Sequence, residues 1–170
     1  FAFLAGSSLP VTRRMPQIEM PYNAPLKESV CVAYGGIDSY DIHALETAQC
    51  MSERRDGGES GVKQVHALQG DKLWDRLWLD DCKTTRALIV SALTRSHNLP
   101  VETGYPADPT SMEWIQRTMP DTTGYLIEHN DGLRTTILLT DIRDFNYAGM
   151  LADGSIVSCQ MYLPMPKRGS

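Results

Sequence analysis

Apolar and polar residues alternate with two different periods along this chain, and the balance between them shifts about two-thirds of the way along. Over residues 28–34, Val30, Val32 and Tyr34 point one way from an extended backbone and Cys31 and Ala33 the other, which predicts a strand. Residues 39–55 change to a helical period, with Ile42, Leu45, Ala48 and Met51 on a partly apolar face. Ser39 or Asp38 is placed to cap that helix, and Arg54 and Arg55 put cations near its C-terminal end, where the helix dipole favours them. A strand is predicted over 62–68. Helices follow over 70–78, through Leu73, Trp74, Leu77 and Trp78, and over 85–96, through Leu88, Ile89, Ala92 and Leu93, with one further turn at 111–117. The last third carries four strand patterns, at 124–128, 133–140, 144–151 and 155–163. Asn130-Asp131-Gly132 and Ala152-Asp153-Gly154 supply residues that accept positive φ for hairpin turns. This order predicts an α+β domain: a predominantly antiparallel sheet, its last four strands a meander, with helices packed on one face.

The ends read differently. Phe1-Ala2-Phe3-Leu4-Ala5-Gly6 is an apolar, strand-like run without a basic leader. Pro10, Pro16, Pro21 and Pro25 then argue for an extended linker over 11–26. The expected organisation is therefore 1–26 as a strand and linker leading in from a preceding domain, and 27–170 as the α+β domain. Because the chain starts at Phe, further residues are expected before it.

The net charge of −5 opposes a nucleic acid or an anionic membrane held by charge alone. No apolar run approaches the roughly 20 residues of a spanning helix. Cys31, Cys50, Cys82 and Cys159 are scattered without a CxxC pair and read as thiols of a reducing, cytoplasmic compartment. His43, His66, His97 and His129 form no HxxH or HxxxH pair, so no local metal motif is present.

Candidate chemistry concentrates at Gly35-Gly36-Ile37-Asp38-Ser39-Tyr40-Asp41-Ile42-His43-Ala44-Leu45-Glu46. His43 opens a helix after a Gly pair, and histidine is the side-chain type suited to general acid or base work; the plainer reading is a helix-start His bonded to a loop. Glu46 lies one turn on and can orient the imidazole, or it is a solvated helix carboxylate. Asp41 reads as a cap or a substrate contact, and Tyr40 as packing with a hydroxyl that reaches a pocket. Arg13 and Arg14 pair with an anionic substrate or lie on the surface. Ser7 and Ser8 follow a strand end, where ligands bind in open sheets, or form only a turn.

The order of elements resembles the C-terminal domain of the glucose-fructose oxidoreductase/inositol dehydrogenase/MocA superfamily, and more closely an uncharacterised bacterial branch of it. The segments that carry the resemblance are Ala5-Gly6-Ser7-Ser8-Leu9-Pro10, His43-Ala44-Leu45-Glu46 and Glu59-Ser60-Gly61-Val62-Lys63, with Arg13-Arg14-Met15-Pro16 a loose match. The resemblance implies a substrate-binding and oligomerisation domain of an NAD- or NADP-dependent oxidoreductase acting on a sugar or polyol-type small molecule. In that reading His43 and Glu46 are catalytic, Tyr40, Asp41, Arg13 and Arg14 contact substrate, and Ser7 and Ser8 lie against the cofactor. A homo-oligomer through the sheet is expected. The family's Gly-x-Gly-x-x-Gly turn and Glu-Lys-Pro segment are missing, so this chain alone is expected to hold no cofactor and to be inactive. Ser39 also stands where the family often has Asp. The alternative reading is a non-catalytic assembly or binding module that uses the antiparallel sheet as an interface.

Overall fold

The computed structural model describes residues 6–102, 105–106 and 111–163. The predicted strand at the N-terminus lies outside them, apart from Gly6. A seven-stranded sheet is built from β1 (Arg13–Met15), β2 (Leu26–Tyr34), β3 (Val62–Gln69), β6 (Thr123–His129), β7 (Arg134–Thr140), β8 (Phe145–Leu151) and β9 (Ile156–Tyr162), and two short strands, β4 (Val101–Glu102) and β5 (Tyr105–Pro106), pair apart from it. Among the described residues four α-helices accompany the strands: α1 (Asp41–Ser52), α2 (Asp71–Trp78), α3 (Lys83–Leu93) and α4 (Met112–Thr118). No helix among the described residues is long and apolar enough to cross a membrane.

The sheet order is β1-β9-β8-β2-β7-β6-β3. All neighbours are antiparallel except β2 and β7, which run parallel from Glu28 opposite Arg134 to Tyr34 opposite Thr140. The sheet is thus mostly antiparallel, as the turn residues predict, but the last four strands are not a meander. β2 inserts between β7 and β8, and the turn at Asp141–Arg143 steps over its end. The reason is burial. Residues Ser29–Ala33 are inaccessible on both sides, and a central position supplies two strand neighbours and two covered faces.

The alternation in β2 also decides where the helices go. Val30 and Val32 join a core with Leu73 and Leu77 of α2, Leu88 of α3 and Ile115 of α4. Cys31 and Ala33 join a second core with Ala44, Ala48 and Met51 of α1. Helices therefore cover both faces, not the single face expected from sequence, because both parities of β2 are apolar and each must be shielded from water. Leu9, Met20 and Ala24, from the proline-rich stretch, are buried in the α1-side core, and β1 pairs with β9. Cys31, Cys50, Cys82 and Cys159 are all unpaired thiols, and burial raises the pKa of each.

Past the end of α1, Arg55 is 3% exposed. Its Nε donates to Asp131 Oδ2 at 2.6 Å, its Nη1 to the Ser52 carbonyl at 3.0 Å, and its Nη2 to Ser60 Oγ at 3.3 Å. One guanidinium thus ties the helix end and the loop after it to the β6–β7 turn. Burial alone would raise the Asp131 carboxyl, but hydrogen bonds from Arg55 and the Leu133 N–H outweigh it and hold that carboxyl below its usual range. Replacing Arg55 by Met keeps the stem and removes these bonds. The expected loss in unfolding free energy is about 2–3 kcal/mol by urea titration, and a loss under about 0.5 kcal/mol would show that the guanidinium is not structural.

Candidate functional site

The site grows from the end of β2. Gly35 has φ +105°, and a Cβ there would lie 2.5 Å from the Tyr40 ring, so only glycine lets that ring fold back onto the strand end. Tyr40 then meets Tyr34 edge-on at 5.1 Å. The cap of α1 differs from the expectation. Tyr40 holds the N-cap position without a side-chain bond, Ser39 Oγ donates to the Gly36 carbonyl, Asp38 takes φ 64°, and Asp41 Oδ1 accepts the Ile42 N–H at 2.8 Å. The polar side chains are engaged in the turn and first residues, and His43 follows within the first turn of the helix.

His43 Nδ1 lies 3.3 Å from Glu46 Oε2, and the other Glu46 oxygen accepts the Ser7 N–H at 3.1 Å. Hydrogen bonding from the Ser7 hydroxyl is the largest influence on Glu46 and holds its carboxyl below the usual range, with the Ser7 N–H and the imidazole adding to it against burial. The His43 ring packs edge-on against Tyr40 at 5.9 Å and Phe145 at 6.4 Å. Both of those rings line a cavity of about 570 Å³ where β2 ends, β8 begins and β9 ends. Its polar lining is His97, Asn98, Arg143, Asp144 and Gln160. His43 is not in the lining; it flanks the aromatic rim.

The structure brings Ser7, Tyr40, His43 and Glu46 together and divides the remaining candidates. Asp41 is committed to the helix start. Arg13 and Arg14, adjacent in β1, take opposite faces. The Arg14 guanidinium turns to the α1 side, where Nη1 meets Glu19 at 2.9 Å and Nε meets Met51 Sδ at 3.2 Å; both arginines contribute to the lining of a smaller cavity of about 270 Å³, with Arg95 and His97. Ser8 is exposed, and its carbonyl accepts the Val11 N–H of a 3-10 turn.

Ser7 and Ser8, the residues expected against a cofactor, lie at the start of the described residues, Ser7 beside Glu46. The Ser7 N–H is already given to a carboxylate, whose charge opposes a phosphate. The carboxyl ends of the parallel pair β2 and β7 open into another cavity, of about 430 Å³, but Asp121 and Asp141 line it. Among the described residues no group of three or more His, Cys, Asp or Glu side chains could hold a metal ion.

Sequence reasoning missed the polar wall of the large cavity. Asp144 is buried and accepts from the Ser96 hydroxyl, the His97 N–H at 3.2 Å and Asn98 Nδ2 at 2.7 Å; Gln160 is also buried and bonds His97 Nδ1. The available signal was Ser96-His97-Asn98 directly after a helix, together with Gln160 at an alternating strand position that reads as solvent-facing. No family model, curated protein or solved structure matches this chain.

Glu46 supplies a pH prediction. Its folded pKa lies below the ordinary 4.5, so its stabilising contribution is complete above that value and is lost as pH falls through the lower folded pKa. Glu46→Gln lacks that contribution. The difference in Tm between wild type and variant is therefore expected to shrink from about pH 6 to about pH 3, and a constant difference would show that the carboxylate is not held in this way.

Proposed function

We propose that this chain is the substrate-binding part of an NAD- or NADP-dependent oxidoreductase-like protein acting on a sugar or polyol-type hydroxyl. The observation that carries the reading is the Ser7–Glu46–His43 relay. Glu46 fixes one ring nitrogen of His43, and Ser7 fixes Glu46, which is the arrangement that presents the other nitrogen as a proton acceptor. The adjoining cavity falls within the roughly 300–1,000 Å³ of small-molecule sites. Its aromatic rings suit the apolar faces of a carbohydrate, and Asn98, Gln160 and His97 suit its hydroxyls.

In this reading the reacting hydroxyl sits at the rim near Tyr40 and Phe145, within about 3 Å of His43 Nε2, and gives its proton to that nitrogen. Glu46 then stabilises the imidazolium. A nicotinamide cofactor supplies the hydride acceptor, held by a nucleotide-binding segment other than the residues described. NADH titrated into this chain is expected to show no saturable fluorescence change. In the protein with its nucleotide-binding segment, His43→Asn is expected to lower turnover about 10²–10⁴-fold with folding retained. Unchanged turnover would remove the acid–base role, and micromolar NADH binding by the chain alone would overturn the division of labour.

One observation favours the second reading, an assembly module. β3 is an edge strand, exposed along nearly its whole length; Val62 and Val65 lie open, and Val62 shares a cavity lining with Ile42 and Leu45 of α1. Its only full charge is Lys63, near one end. Antiparallel pairing with β3 of a second copy sets the two lysines at opposite ends and faces no like charges. A dimer in light scattering that Val65→Lys converts to monomer is the expected result; a monomer at high concentration would exclude this interface.

A further inference from the structure

We propose that the ligand of the large cavity is an anionic polyol, a polyhydroxylated chain or ring bearing a carboxylate or a phosphate, rather than a neutral sugar. The proposal rests on the substrate-binding reading above and narrows it.

Arg14 and Arg54 share Glu19, Arg55 holds Asp131 and Glu59, Arg76 holds Asp81, and Arg134 holds Glu28. Arg86 is occupied by the carbonyls of Leu77 and Leu79. Arg13, Arg95 and Arg143 have no carboxylate partner among the described residues. These three are not scattered. Arg143 lines the large cavity, Arg13 and Arg95 line the small one, and His97 belongs to both. The two cavities therefore meet at His97 and carry three guanidinium groups that have no carboxylate partner among the described residues, in a chain whose net charge is −5.

The nearby acids offset this charge only in part. Asp144, the one carboxylate in the lining among the described residues, is 7% exposed and keeps its charge, but its oxygens are turned to the neutral donors of Ser96, His97 and Asn98. Glu19 is shared between Arg14 and Arg54. Arg143 rests 5.8 Å over the Tyr34 ring, a contact that uses the face of the guanidinium and leaves its N–H edges for an anion. Arg95 gives Nε to Ser158 Oγ at 2.9 Å, and no bond to its Nη groups is found among the described residues. Gln160 holds Nδ1 of His97, leaving Nε2 as the ring nitrogen for a ligand. The result is an aromatic and amide-lined cavity for a polyol, with Arg143 in its wall and Arg13 and Arg95 in the small cavity beyond His97. A carboxylate or phosphate forms charge-assisted, bidentate bonds with such groups, and a neutral polyol cannot.

The test is calorimetric titration of the chain with glucitol, gluconate and glucitol 6-phosphate, with inorganic phosphate as the control. At least one anionic polyol is expected to bind about tenfold or more tightly than glucitol, with the advantage reduced by raising salt. Arg143→Met is expected to remove the advantage of gluconate if the carboxylate lies in the large cavity. Arg13→Met, at an exposed position, is expected to remove that of the 6-phosphate if the anion reaches the small one. Equal binding of all three polyols overturns the proposal and leaves the substrate-binding reading standing. Inorganic phosphate binding as tightly as the phosphorylated polyol overturns the polyol part. Failure of every polyol to bind overturns both readings together.

Discussion

Burial of β2 on both faces is the constraint from which the rest of this structure follows. Its residues alternate between two apolar cores, so neither side tolerates water, and the strand has to lie inside a sheet that is itself covered twice. That requirement separates β7 from β8, places α1 on one face, and places α2, α3 and α4 on the other. It also makes β2 parallel to β7 in an otherwise antiparallel sheet. The parallel register is marked at its start by a charge pair. Glu28, buried in β2, sits opposite Arg134 in β7 and is bonded by that residue and by Thr85 of α3. A carboxylate at such a position is stable only while both partners hold it, so the pair disfavours a slipped register as well as closing the strand's entry.

The candidate site lies at the opposite end of the same strand. Where β2 stops, Gly35 folds Tyr40 back, the turn after β7 passes across, and β8 begins with Phe145. Three chain segments that are remote in sequence meet there because β2 separates β7 from β8. The aromatic rim, the His43–Glu46 pair and the polar wall around Asp144 are each anchored on a different element. Their relation therefore depends on the sheet rather than on any local motif. The polar wall is also braced from within: Asp144 fixes the segment after α3, and Gln160 fixes His97, so side chains that face the cavity are held by residues with little exposure of their own.

The electrostatics of the two ends differ. Around Arg55 the positive charge is enclosed and answered by Asp131 and Glu59, and it serves to join the end of α1 to the β6–β7 turn. Around His97, Arg13, Arg95 and Arg143 have no carboxylate partner among the described residues. The first arrangement lowers the free energy of the fold by completing its own bonds. The second leaves donors available to something outside the chain. This difference in pairing, more than cavity size, separates a structural cluster from a binding surface here.

The sequence by itself determined the elements. The strands of the last third, the helices of residues 41–52, 71–78 and 83–93, and the hairpin residues at Gly132 and Gly154 follow from side-chain periodicity and turn chemistry, which act over a few residues. The pairing of His43 with Glu46 was legible for the same reason, since i and i+3 on one helix must meet. Tertiary structure alone decided the sheet order, the second helical layer, the split of Arg13 from Arg14 across the sheet, and the wall formed by His97, Asn98, Arg143, Asp144 and Gln160. Each of these depends on contacts between residues far apart in the chain. A strand pattern says which side chains share a face, but not which strand lies beside it, and only the need to bury both faces of β2 chose the neighbours.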